Sequence, residues 1–133
     1  MAPIPITILV SGSPTNSQAH LSAQRFVQTA IASGHSIVQV FFSQEAVLVA
    51  NPQTEKPTDE AQLAQNWQLL AKENKFSLDV CVSSAERRGI AAFCETVADD
   101  GIHHSTDGKF RIAGLAHLAA GMNQQPYKLI HFK

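Results

Sequence analysis

The stretch PITILVSGSPTNSQAHLSAQRFVQTAIASGHSIVQVFF, residues 5–42, sets two apolar runs on either side of a helical pattern. PITILV (5–10) reads as a strand, and SGSPTNSQ (11–18) as a small polar loop after it. Ala19, Ala23, Phe26, Val27, Ala30 and Ile31 then fall at offsets of 4, 7, 8, 11 and 12, the spacing of one helix face. Gly34 stops that helix, and SIVQVFF (36–42) is a second strand. A helix between two strands is the βαβ unit, which pairs its strands in parallel.

The same alternation continues outward. SQEAVLVAN (43–51) reads as a short helix, PQTEKPTD (52–59) as a polar loop bounded by prolines, and 59–74 as a helix. The inward stripe of that helix is Ala64, Trp67 and Ala71, with Leu63 and Leu70. FSLDVCV (76–82) is a third strand, followed by a short helix around 84–88 and a second helical stretch over 90–98. After a loop through His103 and His104 come the strand KFRIAG (109–114), a short helix from Leu115 to Met122, and a last strand, YKLIHF (127–132). With no internal repeat and no second domain, the pattern predicts one α/β domain over 1–133: three layers around a five-stranded, mostly parallel sheet.

Bulk properties narrow the function. A chain of 133 residues buries about two-thirds of its unfolded surface, enough for a core without staples. Two cysteines make no disulfide framework, and a reducing cytoplasm suits them. MAPIPITILV lacks a basic n-region and a cleavage pattern and is too short to cross a bilayer. A formal charge of −1 gives no basic footprint for phosphates, so direct nucleic-acid binding is not expected.

Cys81 ends the apolar run of LDVCVSSAERRGI (78–90), at the carboxyl end of a strand, where open parallel sheets collect functional loops. Ser83 followed by Glu86 matches a capping box and predicts a helix beginning at Ser84. Cys81 would sit just ahead of it, where unpaired N–H groups and the helix dipole favour an anion, here a thiolate able to attack sulfur or carbon. Ser83, Ser84, Arg87 and Arg88 are the candidate anion-stabilising groups. The competing reading makes Cys81 a small buried hydrophobe at a strand end.

Other candidates carry less. Cys94 shares a helical face with Ile90, Ala91, Val97 and Ala98 and reads as core; nothing like a C-x-x-C spacing supports redox pairing with Cys81. Adjacent His103 and His104 point in different directions, which argues for a solvated loop over a shared metal. His20, His35, His117 and His131 are scattered over four elements, and His35, directly after the Gly34 stop, is placed to meet the last helix carbonyls. The loop SGSPTNS lacks both G-x-G-x-x-G and the Walker lysine. No metal or organic cofactor is expected.

Taken together, SGSPTNSQAHLSAQRFVQTAIASGHSIVQVFFSQEAVLVAN, LDVCVSSAERRGI and FRIAGLAHLAAGM resemble the TusD/DsrE family of sulfur-relay proteins over essentially the whole chain. The Cys81 segment with its trailing Arg-Arg-Gly is the most specific part. The resemblance implies a persulfide on Cys81 and a cytoplasmic heterohexamer with DsrF/TusC-like and DsrH/TusB-like subunits, two copies of each of three. It also implies a TusA-like sulfur donor and a TusE/DsrC-like acceptor, serving 2-thiouridine synthesis in transfer RNA or dissimilatory sulfur oxidation. FFSQEAV departs from an aromatic-rich FFY..GV pattern, with Ser43 and Ala46 where Tyr and Gly are usual. That difference bears on the pocket rim and leaves the sulfur chemistry alone. Two other functions stand beside this one: a non-catalytic structural subunit with Cys81 inert, and a flavodoxin-like nucleotide-binding module using SGSPTNS. The apolar runs AVLVA and GLAHLAAGM are long for so small a domain and are expected to be covered in part by partners.

Overall fold

The computed structural model describes residues 3–52, 62–95, 108–121 and 128–133. The elements are β1 (Pro5–Val10), α1 (Ala19–Ala32), β2 (Ser36–Phe42), a 3₁₀ helix (Gln44–Ala50), α2 (Leu63–Asn74), β3 (Ser77–Cys81) and α3 (Val82–Arg87). A second 3₁₀ helix (Ala91–Phe93), β4 (Phe110–Ala113), α4 (Leu115–Gly121) and β5 (Lys128–Phe132) complete the described chain. The strands form one sheet in the order β4-β3-β2-β1-β5, and every neighbouring pair is parallel. The predicted fold class is therefore the observed one.

Chain order fixes the layers. From β1 to β4 the chain steps one strand at a time in a single direction, then returns past β1 to place β5 on the far side. Right-handed crossovers of opposite travel put their helices on opposite faces of the sheet. Accordingly Ala23 and Val27 of α1, Trp67 and Ala71 of α2 and Ala85 of α3 share one core with Ile8, Val40, Phe42, Leu78, Val80 and Phe110. α4 lies across the other face, where the Gln39 amide meets its carbonyls.

One strand changes phase to serve both faces. Ile6 pairs with Ile37 but Thr7 pairs with Gln39, so Val38 is an extra residue, a bulge that keeps Ile37 on the same face as Val40 and Phe42. The α4 face is unusually polar: Thr7, Gln39, Ser77 and Asp79 are all buried. Ser77 Oγ donates to Asp79 Oδ2 at 3.0 Å. With its NH₂ turned toward Asp79, Gln39 donates to the same oxygen at 3.3 Å and to the His117 carbonyl at 3.0 Å. Buried polar groups persist where they find such partners.

Two of the helices, α1 and α3, end on glycines. Gly34 and Gly89 take φ of 90° and 67°, a region costly for residues with a Cβ. After α3, Gly89 N–H reaches the Glu86 carbonyl at 3.3 Å and Ile90 N–H the Ala85 carbonyl at 2.9 Å, a Schellman closure with Ile90 packed inward. α1 closes the same way on Gly34, so His35 meets a helix carbonyl through its backbone, its N–H bonding Ala30 O, while its ring Nδ1 accepts from the Ile4 N–H at 3.2 Å.

Two expectations change and one holds. The helical stretch over 90–98 is a 3₁₀ turn, Ala91–Phe93, after which Glu95 bridges to Arg111 in parallel; 96–98 lie outside the described residues. AVLVA needs no partner, because Ala46, Val47, Val49 and Ala50 are buried in the chain's own core. α4 does leave apolar surface, with Leu115 72% exposed. Among the described residues no helix is long and apolar enough to cross a membrane.

The core also holds a histidine that periodicity left out. His20 is fully buried, stacked on Phe42 at 5.7 Å, and its Nδ1 accepts the Trp67 Nε1–H at 3.0 Å. Replacing Trp67, the chain's single tryptophan, with Phe keeps an aromatic ring but deprives Nδ1 of that donor. Trp67→Phe is expected to destabilise the fold by about 1–3 kcal/mol, the cost of an unsatisfied buried polar atom, read as a lower urea midpoint by circular dichroism.

Candidate functional site

β3 passes into α3 with no intervening residue. Cys81 is both the last residue of the strand and the N-cap of the helix, with φ −57° and ψ 122°. Its strand partner is Ala113, the last residue of β4. The chain leaves β3 toward the α1–α3 face and leaves β4 toward the α4 face, so Cys81 and Ala113 stand together at the carboxyl edge of the sheet where the two paths part. The carboxyl edge of an open parallel sheet is where such folds gather their functional loops. Cys81 is half-buried at that edge, on the same sheet face as Asp79, two residues back along β3.

The early start of α3 corrects the capping-box expectation. Because the helix begins at Val82 and not at Ser84, Ser83 is its second residue, exposed, and no side-chain cap hydrogen bond forms. What lies beside Cys81 is the first turn's backbone: the N–H groups of Val82, Ser83 and Ser84 have no intrahelical partner. At six residues, α3 contributes only a short dipole.

Ser84 and Arg88 are engaged with the segment after β2. Phe42 pairs with Val80, so the residues that follow, Ser43 and Cys81, lie side by side at the carboxyl edge of the sheet. Next to Ser43, Gln44 adopts φ 53°, a left-handed conformation costing about 1–2 kcal/mol for a residue with a side chain. Its N–H donates to Ser84 Oγ at 2.9 Å. Arg88 donates from Nε at 3.0 Å and Nη2 at 2.8 Å to Glu45 Oε1, and from Nη1 to the Ser84 carbonyl at 3.2 Å. The guanidinium expected near the thiol is thus held by Glu45. Arg87 is exposed at the last turn of α3 and makes no contact that ties it to Cys81.

Glu45 and Gln44 carry no sequence signal. Polar residues after a strand look like any loop, and the Glu45–Arg88 contact spans 43 positions.

The second cysteine is of another kind. Cys94 packs against the core, and its Sγ faces the Ile90 carbonyl at 3.8 Å. Burial pushes its thiol up to about 11, so the thiolate is scarce at neutral pH.

The remaining candidates fall elsewhere. In the SGSPTNS loop, Ser13 Oγ accepts the N–H groups of Thr15 and Asn16, each at 3.2 Å, and Ser17 Oγ accepts that of Ala19 at 2.9 Å. Donors that would cradle a phosphate are therefore consumed by the loop's own hydroxyls. Gly12 is wedged there, since a Cβ would come within 2.6 Å of Ala19 Cβ and Ser17 Oγ. His131 Nε2 lies 2.7 Å from Ser11 Oγ. His103 and His104 lie outside the described residues. Among the described residues, no three His, Cys, Asp or Glu side chains gather as metal ligands.

Residues 5–132 match the DsrE/DsrF-like family. The chain is 35% identical over 125 residues to a Sulfurtransferase TusD homolog of Vibrio vulnificus (strain CMCP6), covering 94% of this chain and 95% of that protein. It is 37% identical, at the same coverage, to a Sulfurtransferase TusD homolog of Vibrio parahaemolyticus. Against Sulfurtransferase TusD of Yersinia pestis (strain Pestoides F) it is 36% identical over 119 residues, 90% of this chain and 91% of that one. The crystal structure of the ychN protein from E. coli shares the fold, with a TM-score of 0.71 over 97% of this chain and 99% of that one, at 20% identity.

The contrast between the two thiols has a direct readout. Iodoacetamide at pH 8 is expected to modify Cys81 well before Cys94, and the Cys94 rate should climb only as pH approaches about 11. Folding favours the protonated Cys94, so its contribution to stability is intact below the ordinary thiol range and is lost as pH rises toward that value. Peptide mapping of the alkylated protein checks the order.

Proposed function

Because the chain belongs to the DsrE/DsrF-like family, we propose that it is a sulfurtransferase subunit that carries a persulfide on Cys81. The observation that carries this reading is the position of Cys81, half-buried where the carboxyl end of β3 becomes the start of α3, while the chain's other thiol is held protonated by burial. The names of the relatives supply the reaction class, and the carboxyl edge of the sheet supplies a place for a thiol to meet an incoming sulfur group.

The transfer is a thiol–persulfide exchange. The Cys81 thiolate attacks the terminal sulfur of a donor persulfide; a bond forms between Cys81 Sγ and that sulfur as the donor's S–S bond breaks. The donor leaves as a thiolate and takes up a proton. Cys81 then carries the terminal sulfur as Cys81–S–S⁻ until an acceptor thiolate attacks it and Cys81 departs as thiolate. Sulfur moves with no net oxidation or reduction, so neither a metal nor an organic cofactor enters the balance. The backbone N–H groups of Val82, Ser83 and Ser84 stabilise the sulfur anion at both stages. In this reading Ser83 and Ser84 act through their amides and not their hydroxyls. Arg87 adds positive potential from the far end of a short helix, whereas Arg88 is held by Glu45.

Donor and acceptor are proposed as a TusA-like and a TusE/DsrC-like protein, with DsrF/TusC-like and DsrH/TusB-like chains as cytoplasmic partner subunits. The pathway served is 2-thiouridine synthesis in transfer RNA or sulfur oxidation. Cys81→Ser is expected to abolish sulfur uptake from a persulfide donor with the fold intact, whereas Cys94→Ser keeps it. Mass spectrometry checks this: one added sulfur atom should map to the peptide containing Cys81 and vanish on reduction. Uptake mapped to Cys94, or to neither thiol, overturns the assignment.

A further inference from the structure

Resting on that reading, we infer that Glu45 and Arg88 are positioning residues for Cys81. Their ion pair latches the left-handed turn at Gln44 onto the helix that Cys81 opens, and so fixes the shape of the carboxyl edge beside Cys81 where the sulfur donor docks.

The argument begins with the turn. Gln44 sits at φ 53°, a conformation its side chain does not favour, so something must hold it there. The restraint on its own amide is the bond to Ser84 Oγ at 2.9 Å, from the third residue of α3. Ser84 is in turn held by Arg88, whose Nη1 takes the Ser84 carbonyl at 3.2 Å. Arg88 is anchored by Glu45, the residue after Gln44, through Nε and Nη2. The four residues close a loop of contacts: Gln44 to Ser84, Ser84 to Arg88, Arg88 to Glu45, and Glu45 back to Gln44 through the chain. This loop joins the segment leaving β2 to the helix leaving β3, one residue beyond the Ser43–Cys81 edge.

The arrangement reassigns Arg88. A guanidinium that acted on the sulfur anion would have to face Cys81, whereas here all three donating nitrogens are turned to Glu45 and Ser84. Its effect on the reaction therefore runs through the shape of the Gln44 turn. Glycine adopts a left-handed φ without strain, so a glycine at position 44 makes the latch dispensable. A direct electrostatic role for Arg88 would give no such rescue.

The experiment uses the full chain with a protein persulfide as sulfur donor and iodoacetamide as a small probe of the same thiol. Glu45→Gln and Arg88→Gln, each shown folded by circular dichroism, are expected to slow sulfur uptake about tenfold while changing Cys81 alkylation by less than about twofold. Adding Gln44→Gly to either should restore uptake to near the wild-type rate. Unchanged uptake in both folded single variants overturns the inference. So does loss in Arg88→Gln that Gln44→Gly does not restore while Glu45→Gln stays active, which would assign Arg88 a direct charge effect. A wild-type chain that takes up no sulfur at all sinks the persulfide reading itself, and this inference with it; uptake in the wild type with unaffected variants sinks only the inference.

Discussion

The carboxyl edge of the sheet depends on one constraint: nothing separates β3 from α3. A strand that turns into a helix at a single residue forces that residue to complete the ladder on one side and open the first helical turn on the other. Cys81 does both, as the partner of Ala113 and the N-cap of α3. Its sulfur is thus located by two rigid elements and not by a flexible loop, which is how a reactive group is held to a narrow geometry. The same constraint brings Ser84 within reach of Gln44, because a helix starting two residues later would carry its third residue past the end of β2. Helix start, thiol position and latch are one geometric fact.

Much of the architecture was legible because it is periodic. The α1 stripe read from spacing is the buried one at Ala19, Ala23, Val27 and Ala30, and the α2 stripe holds at Leu63, Trp67 and Ala71. The family resemblance read from the Cys81 segment and the flanking runs likewise agrees with the match over residues 5–132. Periodicity treats polar residues as outward, however, and so it passed over His20 and Gln24, four positions apart on α1. Both face α2, where His20 accepts from Trp67 and Gln24 donates to the Leu63 carbonyl at 3.0 Å. Helix packing, not hydropathy, decides those two positions.

The site was legible only in part. The strand end at Cys81 follows from composition, but Ser83 and Glu86 have capping-box spacing without forming one. A local motif presumes a loop before the helix, and tertiary geometry removed that loop. Sequence likewise put both arginines beside the thiol because they are close along the chain. In three dimensions Arg88 turns to Glu45, a partner that no spacing rule reaches.

The bulge at Val38 means that β2 keeps two alternations, one on each side of a single extra residue. A strand of uniform parity can be slid along its neighbours by two residues with its inner and outer faces preserved. β2 cannot, because any slide brings the bulge opposite a position that has no slack for it. The sheet therefore carries its own index mark, at the amino end of its central strand and far from Cys81. Every carboxyl-edge neighbour, Cys81 beside Ser43 included, is counted from that mark.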